Sequence, residues 1–177
     1  MSNVSGKQIE QDEKKIIDEL IKNATKSIND IAESCNFSRQ KVWKVINNLE
    51  RNHTIWGYVP VLDEKKLSKK SYILLVKRSS KPIQEKVVDT IINSELDGGP
   101  RKSGVEIINS YYTHGDYDWI LSFNVNDLTE AKAFVEFFNK LYEGFISEVR
   151  LIEKMFTVVS CGVTNPEIEK LKYFIKL

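Results

Sequence analysis

Cysteine, histidine and excess charge of one sign are all scarce in this chain, and each scarcity removes a class of chemistry. The only two cysteines, Cys35 and Cys161, stand far apart in different halves of the sequence. That spacing suits reduced thiols in a cytoplasmic protein, with Cys35 filling a small core position. The only histidines, His53 and His114, have no partner at ligand spacing, so no metal site is expected. A Gly-rich phosphate loop, a paired metal-ligand motif and a nucleophile elbow are all missing, and the acidic and hydroxyl residues in turns have ordinary capping roles. The expectation is a non-enzyme without a cofactor. No apolar run is long enough to span a bilayer and no stretch has the character of a signal peptide, so no membrane association is expected.

What is there is a chain of 177 residues, 41% of them hydrophobic, which is enough for two small domains or one medium one. The net charge of +1 hides a segregation. Acid and base balance up to Asp63, Glu64 to Lys81 is strongly basic, and the remainder is acidic. The basic belt of Lys65, Lys66, Lys69, Lys70, Lys77, Arg78 and Lys81 has two readings, as phosphate contacts or as a solvated linker; the second is favoured because the belt's place relative to any polyanion is not fixed by sequence.

Three short periodic segments stand in a row near the start. Asp12 to Lys22 repeats apolar residues at Ile16, Ile17, Leu20 and Ile21, which makes one side of a helix greasy. Ser27 is a good N-cap for a second helix, with Asp30 where negative charge suits a helix start and Ile28, Ile31, Ala32 and Cys35 as its buried side. Asn36 then falls where the chain must turn, and Asn tolerates the left-handed conformation. Phe37 plugs the corner.

Ser38 caps a third helix whose apolar residues Val42, Val45, Ile46 and Leu49 share one arc at about 100° per residue. Gln40, Lys44, Asn47 and Arg51 hold the opposite arc, flanked by Arg39, Lys41 and Asn48. Gln and Asn pair with adenine edges, Arg with guanine, and Lys neutralises phosphate, so this set suits a double-stranded DNA surface. The plainer reading is a solvated polar face; the capped helix and turn before it favour DNA contact. Trp43 lies at the edge between the arcs, with half-buried packing preferred over DNA contact because large aromatics usually follow the core.

After an expected strand at Ile55 to Leu62, Ser71 to Val76 is a continuous run of strand formers. Pro82 opens a helix carrying Ile83, Val87, Val88, Ile91 and Ile92, which Asp97-Gly-Gly-Pro100 breaks. Strands follow at Val105 to Thr113 and Asp118 to Val125, joined by the turn at His114 to Tyr117. Asp127 caps a helix with Leu128, Ala131, Val135, Phe138 and Tyr142 at 3-4 spacing, and Val149 to Val159 reads as a last strand. The order βαββαβ is the ferredoxin-like arrangement, which buries one sheet face under two helices. The other face is expected to expose several of Tyr72, Leu74, Tyr111, Trp119, Leu121 and Phe123, according to register, and so to pair with a second copy. A final helix is expected from Pro166 to about Ile175. RNA binding on the sheet is disfavoured, since Asn109 to Thr113 lacks the Gly-aromatic pattern of an RNP1 strand.

On two markers the chain resembles the Lrp/AsnC family of prokaryotic transcription regulators. Val42, Ile46, Leu49-Glu50 and Ile55-Trp-Gly57-Tyr58 match its recognition helix and the "I-x-G-Y" strand that follows. His114-Gly115-Asp116-Tyr117-Asp118 matches its "G-x-(Y/F)-D" turn. The resemblance covers about Asp12 to Val159. Asn36 and His53 stand where many relatives use Gly, and Val45 where many carry Arg. The resemblance implies a homodimer formed through the sheet, further association to a tetramer or octamer, and a small-molecule effector such as an amino acid. The His114 turn, with Gly115, Asp116 and Asp118, then borders the effector pocket; on the residues alone Gly115 supplies an unusual backbone angle and Asp118 ties the hairpin. The Asp97 to Gly104 loop is long for the family and could reshape that pocket.

The expected architecture is α+β: a winged-helix-like helix-turn-helix over 8–54, a strand and basic linker over 55–70, a ferredoxin-like sensing and oligomerisation domain over 71–160 and a helical extension over 161–177. The expected function is sequence-specific DNA binding by a transcription regulator, through Ser38, Arg39, Gln40, Lys41, Lys44, Asn47, Asn48 and Arg51. The alternatives are a ligand-sensing or protein-interaction module without specific DNA binding, motivated by the evenly charged N-terminal segment, and an architectural DNA-binding protein.

Overall fold

The computed structural model describes residues 11–82, 85–93 and 104–175. The chain divides into two compact units, Met1–Pro60 and Val61–Leu177.

The first unit is built from α1 (Gln11–Lys22), α2 (Ile28–Cys35) and α3 (Arg39–Arg51). The starts of α2 and α3 are each set by a side chain that satisfies an otherwise orphaned amide. Ser27 Oγ accepts from the Asp30 N–H at 3.2 Å, and Ser38 Oγ accepts from the Lys41 N–H at 3.2 Å. Between α2 and α3 the chain reverses at Asn36, which sits in the left-handed region at φ 56°. There the Phe37 N–H reaches back to the Ala32 carbonyl at 2.9 Å and closes the end of α2. Ile16, Ile31, Ala32 and Val42 form the buried centre, with Leu20, Ile28, Cys35, Phe37, Val45 and Ile46 packed around it. Ile21 departs from the expected pattern: it lies 71% exposed, because at about 100° per residue it stands about 140° round the helix from the buried Ile16, whereas Leu20 stands about 40° from it.

No strand occurs among the described residues of this unit. Ile55 to Leu62, expected as a strand, runs without any ladder partner. Its β-branched and aromatic residues satisfy strand propensity, but a strand exists only when a second one pairs with it, and the described residues offer none there.

The second unit carries β1 (Lys70–Arg78), α4 (Glu85–Ile92), β2 (Glu106–Tyr112), β3 (Trp119–Val125), α5 (Leu128–Leu141) and β4 (Ile146–Glu153). The four strands form one antiparallel sheet in the order β2-β3-β1-β4. This is the expected ferredoxin-like βαββαβ order. Asp127 caps α5, its Oδ1 accepting from the Glu130 N–H at 2.9 Å, while Glu130 reaches back to the Asn126 N–H at 2.9 Å. Glu130 is held below the usual carboxylate range by those bonds from Asn126, the side-chain amide first and the backbone N–H second.

Register decides which strand residues meet the helices. Tyr72, Leu74 and Val76 of β1 and Trp119, Leu121, Phe123 and Val125 of β3 are all buried with Ala131, Phe134 and Phe138 of α5 and with Tyr142 just beyond it. Trp119 lies 5.1 Å from Phe138 and from Tyr142, Phe123 4.7 Å from Phe134, and Tyr72 stacks on Phe123 at 5.8 Å, within the range of favourable ring contacts. Several of Tyr72, Leu74, Tyr111, Trp119, Leu121 and Phe123 were expected on the open face, according to register, and the structure corrects this: the register turns all but Tyr111 inward. The larger rings went to the side where α5 supplies partners. The open face carries the interleaved residues Ile73, Leu75 and Ile120, with Tyr111 and Ile152 still more exposed. Of the six candidates for that face, Tyr111 alone is exposed.

The end of the chain also differs from expectation. β4 begins at Ile146, directly after the Tyr142 to Phe145 turn, and stops at Glu153 instead of continuing to Val159. A short hairpin follows, β5 (Val159–Ser160) with β6 (Val163–Thr164), turning at Cys161 and Gly162, both at positive φ. In place of one helix from Pro166 there is a 3-10 turn (Ile168–Leu171) leading into α6 (Lys172–Ile175). Asn165 explains the tight start: its Oδ1 takes the Glu167 N–H at 2.8 Å and its carbonyl takes the Ile168 N–H, a three-residue closure that favours 3-10 geometry. Residues 94–103, which include the Asp97-Gly-Gly-Pro100 break and most of the long loop, lie outside the described residues, as does Ile83.

Phe138 is fully buried against three other rings, those of Trp119, Phe134 and Tyr142, so Phe138→Ala is expected to destabilise the second unit by about 3–5 kcal/mol. Ser27→Ala, which removes one cap, is expected to cost the first unit about 1 kcal/mol. Urea unfolding of both variants checks the pair, and a loss below about 1 kcal/mol for Phe138→Ala would show that the ring stack does not hold α5 to the sheet.

Candidate nucleic-acid interface

The outer side of α3 follows from its inner side. Val42 is fully buried and Leu49 nearly so, and this fixes the rotation of the helix about its axis. Arg39, Gln40, Lys44, Asn48 and Arg51 are consequently exposed. Gln40, Lys44 and Arg51 fall on one outward line at helical spacing, the arrangement a groove-reading helix requires.

Other residues expected at the interface have partners within the unit. Ser38 serves as the cap. Lys41 Nζ lies 2.5 Å from Asp12 Oδ2 of α1 and 4.1 Å from the centre of the Phe37 ring. The hydrogen bond from Lys41 holds the Asp12 carboxyl below its usual range. Asn47 is half-buried and its Nδ2 donates to the Trp43 carbonyl at 2.7 Å, so this amide is folded onto its own helix. Asn48 Nδ2 makes a longer contact, 3.4 Å, to Glu13 Oε1. Trp43 stays outside the core cluster and is 54% exposed, more than its packing role called for. It lines a shallow depression with Ile28, Arg39 and Gln40. Ile28 carried no sequence signal for this surface, because the same residue also packs against the core.

Glu19 organises the opposite end of the unit. It pairs with Lys22 at 2.6 Å and with Lys26 more closely still, while Lys26 also donates to Ser34 Oγ of α2 at 2.6 Å. The bonds from Lys22 and Lys26 pull the Glu19 carboxyl down to about 2. Its charged form therefore ties the end of α1 to α2.

The basic belt of the second unit meets partners of its own. Lys65 lies over the Phe174 ring at 4.6 Å, Lys66 is 3.8 Å from Glu167, Lys69 donates to Asn126 at 2.8 Å, and Lys70 is 3.8 Å from Glu153. Each of these four cations thus has a partner within the second unit.

At the β2–β3 turn His114, Gly115 and Asp116 are exposed, and Asp118 works as a tie. Its Oδ2 accepts the Arg78 N–H at 2.9 Å, its backbone N–H donates to Val76 at 2.9 Å, and its carbonyl accepts the Thr113 N–H at 2.8 Å. Gly115 adopts φ 156° with open space around it. Asp116 lines a second shallow depression with Lys77, Tyr117, Glu148 and Arg150. Arg150 Nε is 2.5 Å from Glu148 Oε1, a bond that raises the guanidinium further, and its guanidinium lies 5.9 Å from the centre of the Tyr117 ring. Glu148 and Arg150 had no signal in the sequence: only the β1–β4 register brings them beside Lys77. Among the described residues no cluster of His, Cys, Asp or Glu could hold a metal ion, and no helix is long and apolar enough to cross a membrane.

Residues 13–55 match the family model of winged helix-turn-helix DNA-binding domains. The chain is similar in structure to an AsnC family transcriptional regulator from Agrobacterium tumefaciens, with a TM-score of 0.68 and 21% identity over 94% of this chain and 100% of the other. Its fold is the Lrp/AsnC fold. It is likewise similar to LrpC of B. subtilis, with a TM-score of 0.61 and 20% identity over 87% of this chain and 99% of that one. A third similar structure is the transcriptional regulator NMB0573 from Neisseria meningitidis in complex with L-Met, with a TM-score of 0.65, 14% identity and coverage of 86% and 94%. No curated protein sequence matches the chain. The Lrp/AsnC fold joins a helix-turn-helix to a ferredoxin-like sheet, and both are present in this chain in that order.

Because the Glu19 carboxyl is depressed from 4.5 to about 2, its contribution is complete above pH 4.5 and is lost as pH falls toward 2. Thermal melts between pH 7 and 2 are expected to show the first unit weakening over that window, and Glu19→Gln to flatten the dependence. An unchanged acid profile in the variant would remove Glu19 from the account.

Proposed function

We propose that this chain is a sequence-specific DNA-binding transcription regulator of the Lrp/AsnC type. The observation that carries the reading is the outward line of Gln40, Lys44 and Arg51 on a Ser38-capped helix whose other side is buried. Gln40 offers a bidentate amide for adenine, Arg51 a guanidinium for guanine or phosphate, and Lys44 a phosphate contact, with Arg39 and Asn48 beside them. In this reading residues 8–54 read DNA, 55–70 link, 71–160 sense and oligomerise, and 161–177 extend the second part. The working compartment is the cytoplasm and the chain has no catalytic role.

The functional unit is a homodimer, or a larger assembly of dimers. Ile73, Leu75 and Ile120 make an apolar centre on the open sheet face, bordered by Tyr111 and Ile152, and such a surface is best covered by a second copy. Two copies present two α3 helices to half-sites about one helical turn apart or a multiple of it. An amino-acid effector is supported by the depression at Asp116, where Lys77 suits a carboxylate and Asp116 an ammonium group, beside the paired Arg150 and Glu148. The similar Neisseria meningitidis regulator was solved with L-Met.

A protein-docking role for the first unit has one observation in its favour, the evenly balanced charge up to Asp63, to which the Lys41–Asp12 pair adds. The deciding measurement is DNA binding by the full chain. Changing Gln40, Lys44 and Arg51 together to Ala is expected to abolish sequence preference and lower the salt dependence, with the fold and assembly intact. Unchanged DNA affinity in that triple variant would sink the regulator reading.

A further inference from the structure

We infer that Trp43 and Ile28 form a receptor for a thymine methyl group, making Trp43 a specificity-determining residue of the DNA-reading helix. The inference rests on the regulator reading above and names the base that one part of that surface selects.

Trp43, a large and mostly apolar residue, is 54% exposed, although the neighbouring Val42 is completely buried. At about 100° per residue, Trp43 stands on the border of the outward arc, one turn from Gln40 and Asn47. With Ile28 at the start of α2 it forms the apolar part of a shallow depression, and Arg39 and Gln40 form the rest. Asn47 would otherwise compete for a base beside the ring, but its amide is turned back onto the Trp43 carbonyl at 2.7 Å. The position next to the indole is thus left apolar on a face whose remaining residues are polar or cationic.

The chemistry of the groove then selects the occupant. A major groove presents hydrogen-bonding edges and one apolar group, the C5 methyl of thymine. An apolar hollow on a helix that enters this groove has no other partner there of its own kind. Gln40 borders the hollow and is suited to adenine, while the cationic Arg39 on its rim complements the phosphates. Cytosine and uracil would leave the indole facing an unfilled gap. The selected step is a thymine at one fixed place in each half-site.

The test uses the full chain and a pool of random duplex DNA, from which bound sequences are selected and a site is derived. Each thymine of that site is then replaced singly by deoxyuridine, which removes the methyl group and leaves every hydrogen-bonding edge in place. One thymine per half-site is expected to lose about fourfold in affinity, the scale set by burying a single methyl group. Trp43→Ala is expected to abolish that penalty and the preference for thymine at that position, while the other selected positions stay. Trp43→Gln, which keeps a long side chain with good helix propensity, is measured alongside and is expected to do the same. A selected site that tolerates deoxyuridine at every position, or a penalty that persists in both variants, overturns the inference and leaves the regulator reading standing. Failure to select any site overturns that reading, and this inference with it.

Discussion

One packing constraint governs the first unit: Val42 must sit inside the cluster of Ile16, Ile31 and Ala32. A helix turned by one residue, about 100°, would bring Lys41 or Trp43 into the core position and carry the polar line inward. Burying a cation without its partner, or a ring larger than the space, costs far more than the small helices of this unit supply. The left-handed turn at Asn36 and the cap at Ser38 set where α3 begins, and Val42 sets its rotation. The capacity to face a nucleic acid is therefore a by-product of core packing. The exposed residues need only be present in the right order.

The second unit obeys a related rule in two dimensions. Alternation along β1 and β3 sends Tyr72, Leu74, Val76, Trp119, Leu121 and Phe123 to one face, where the aromatic residues of α5 interleave with them. The smaller aliphatic residues between them are left on the other side. One face is thus a packed, ring-rich interior, and the other a thinner apolar surface with charged residues at its margin. The tie at Asp118 belongs to this architecture too, since a single carboxylate holds the β2–β3 turn against the backbone of β1.

Much of this was legible in the residues, and the failures have identifiable causes. The caps at Ser27, Ser38 and Asp127 and the left-handed Asn36 were readable because each is a local bargain between a side chain and the nearest amides. Strand order followed from the sequence of elements. Which of Tyr72, Leu74, Tyr111, Trp119, Leu121 and Phe123 would stay on the open face was not legible, because period-two alternation separates two sets without saying which one meets the helices. The strand at Ile55 to Leu62 failed because pairing is a property of two segments. Within the proposed interface, exposure of Gln40, Lys44 and Arg51 was readable from periodicity. The diversion of Lys41 to Asp12 and of Asn47 to Trp43 was not, since each depends on side-chain conformations that helical spacing leaves open. Glu148 and Arg150 were invisible beside Asp116 because only sheet register joins them.

The contacts of the last described residues give the second unit a closed circuit. Phe174 lies 5.3 Å from Phe156 and takes Lys65 over its ring, Glu167 meets Lys66, and Lys154 bonds Glu64 at 2.8 Å. Residues separated by a hundred positions along the polymer are thereby neighbours, so the stretch in which the unit starts is clasped by the stretch in which it finishes. A tail that looks ornamental in linear order is a buckle in space.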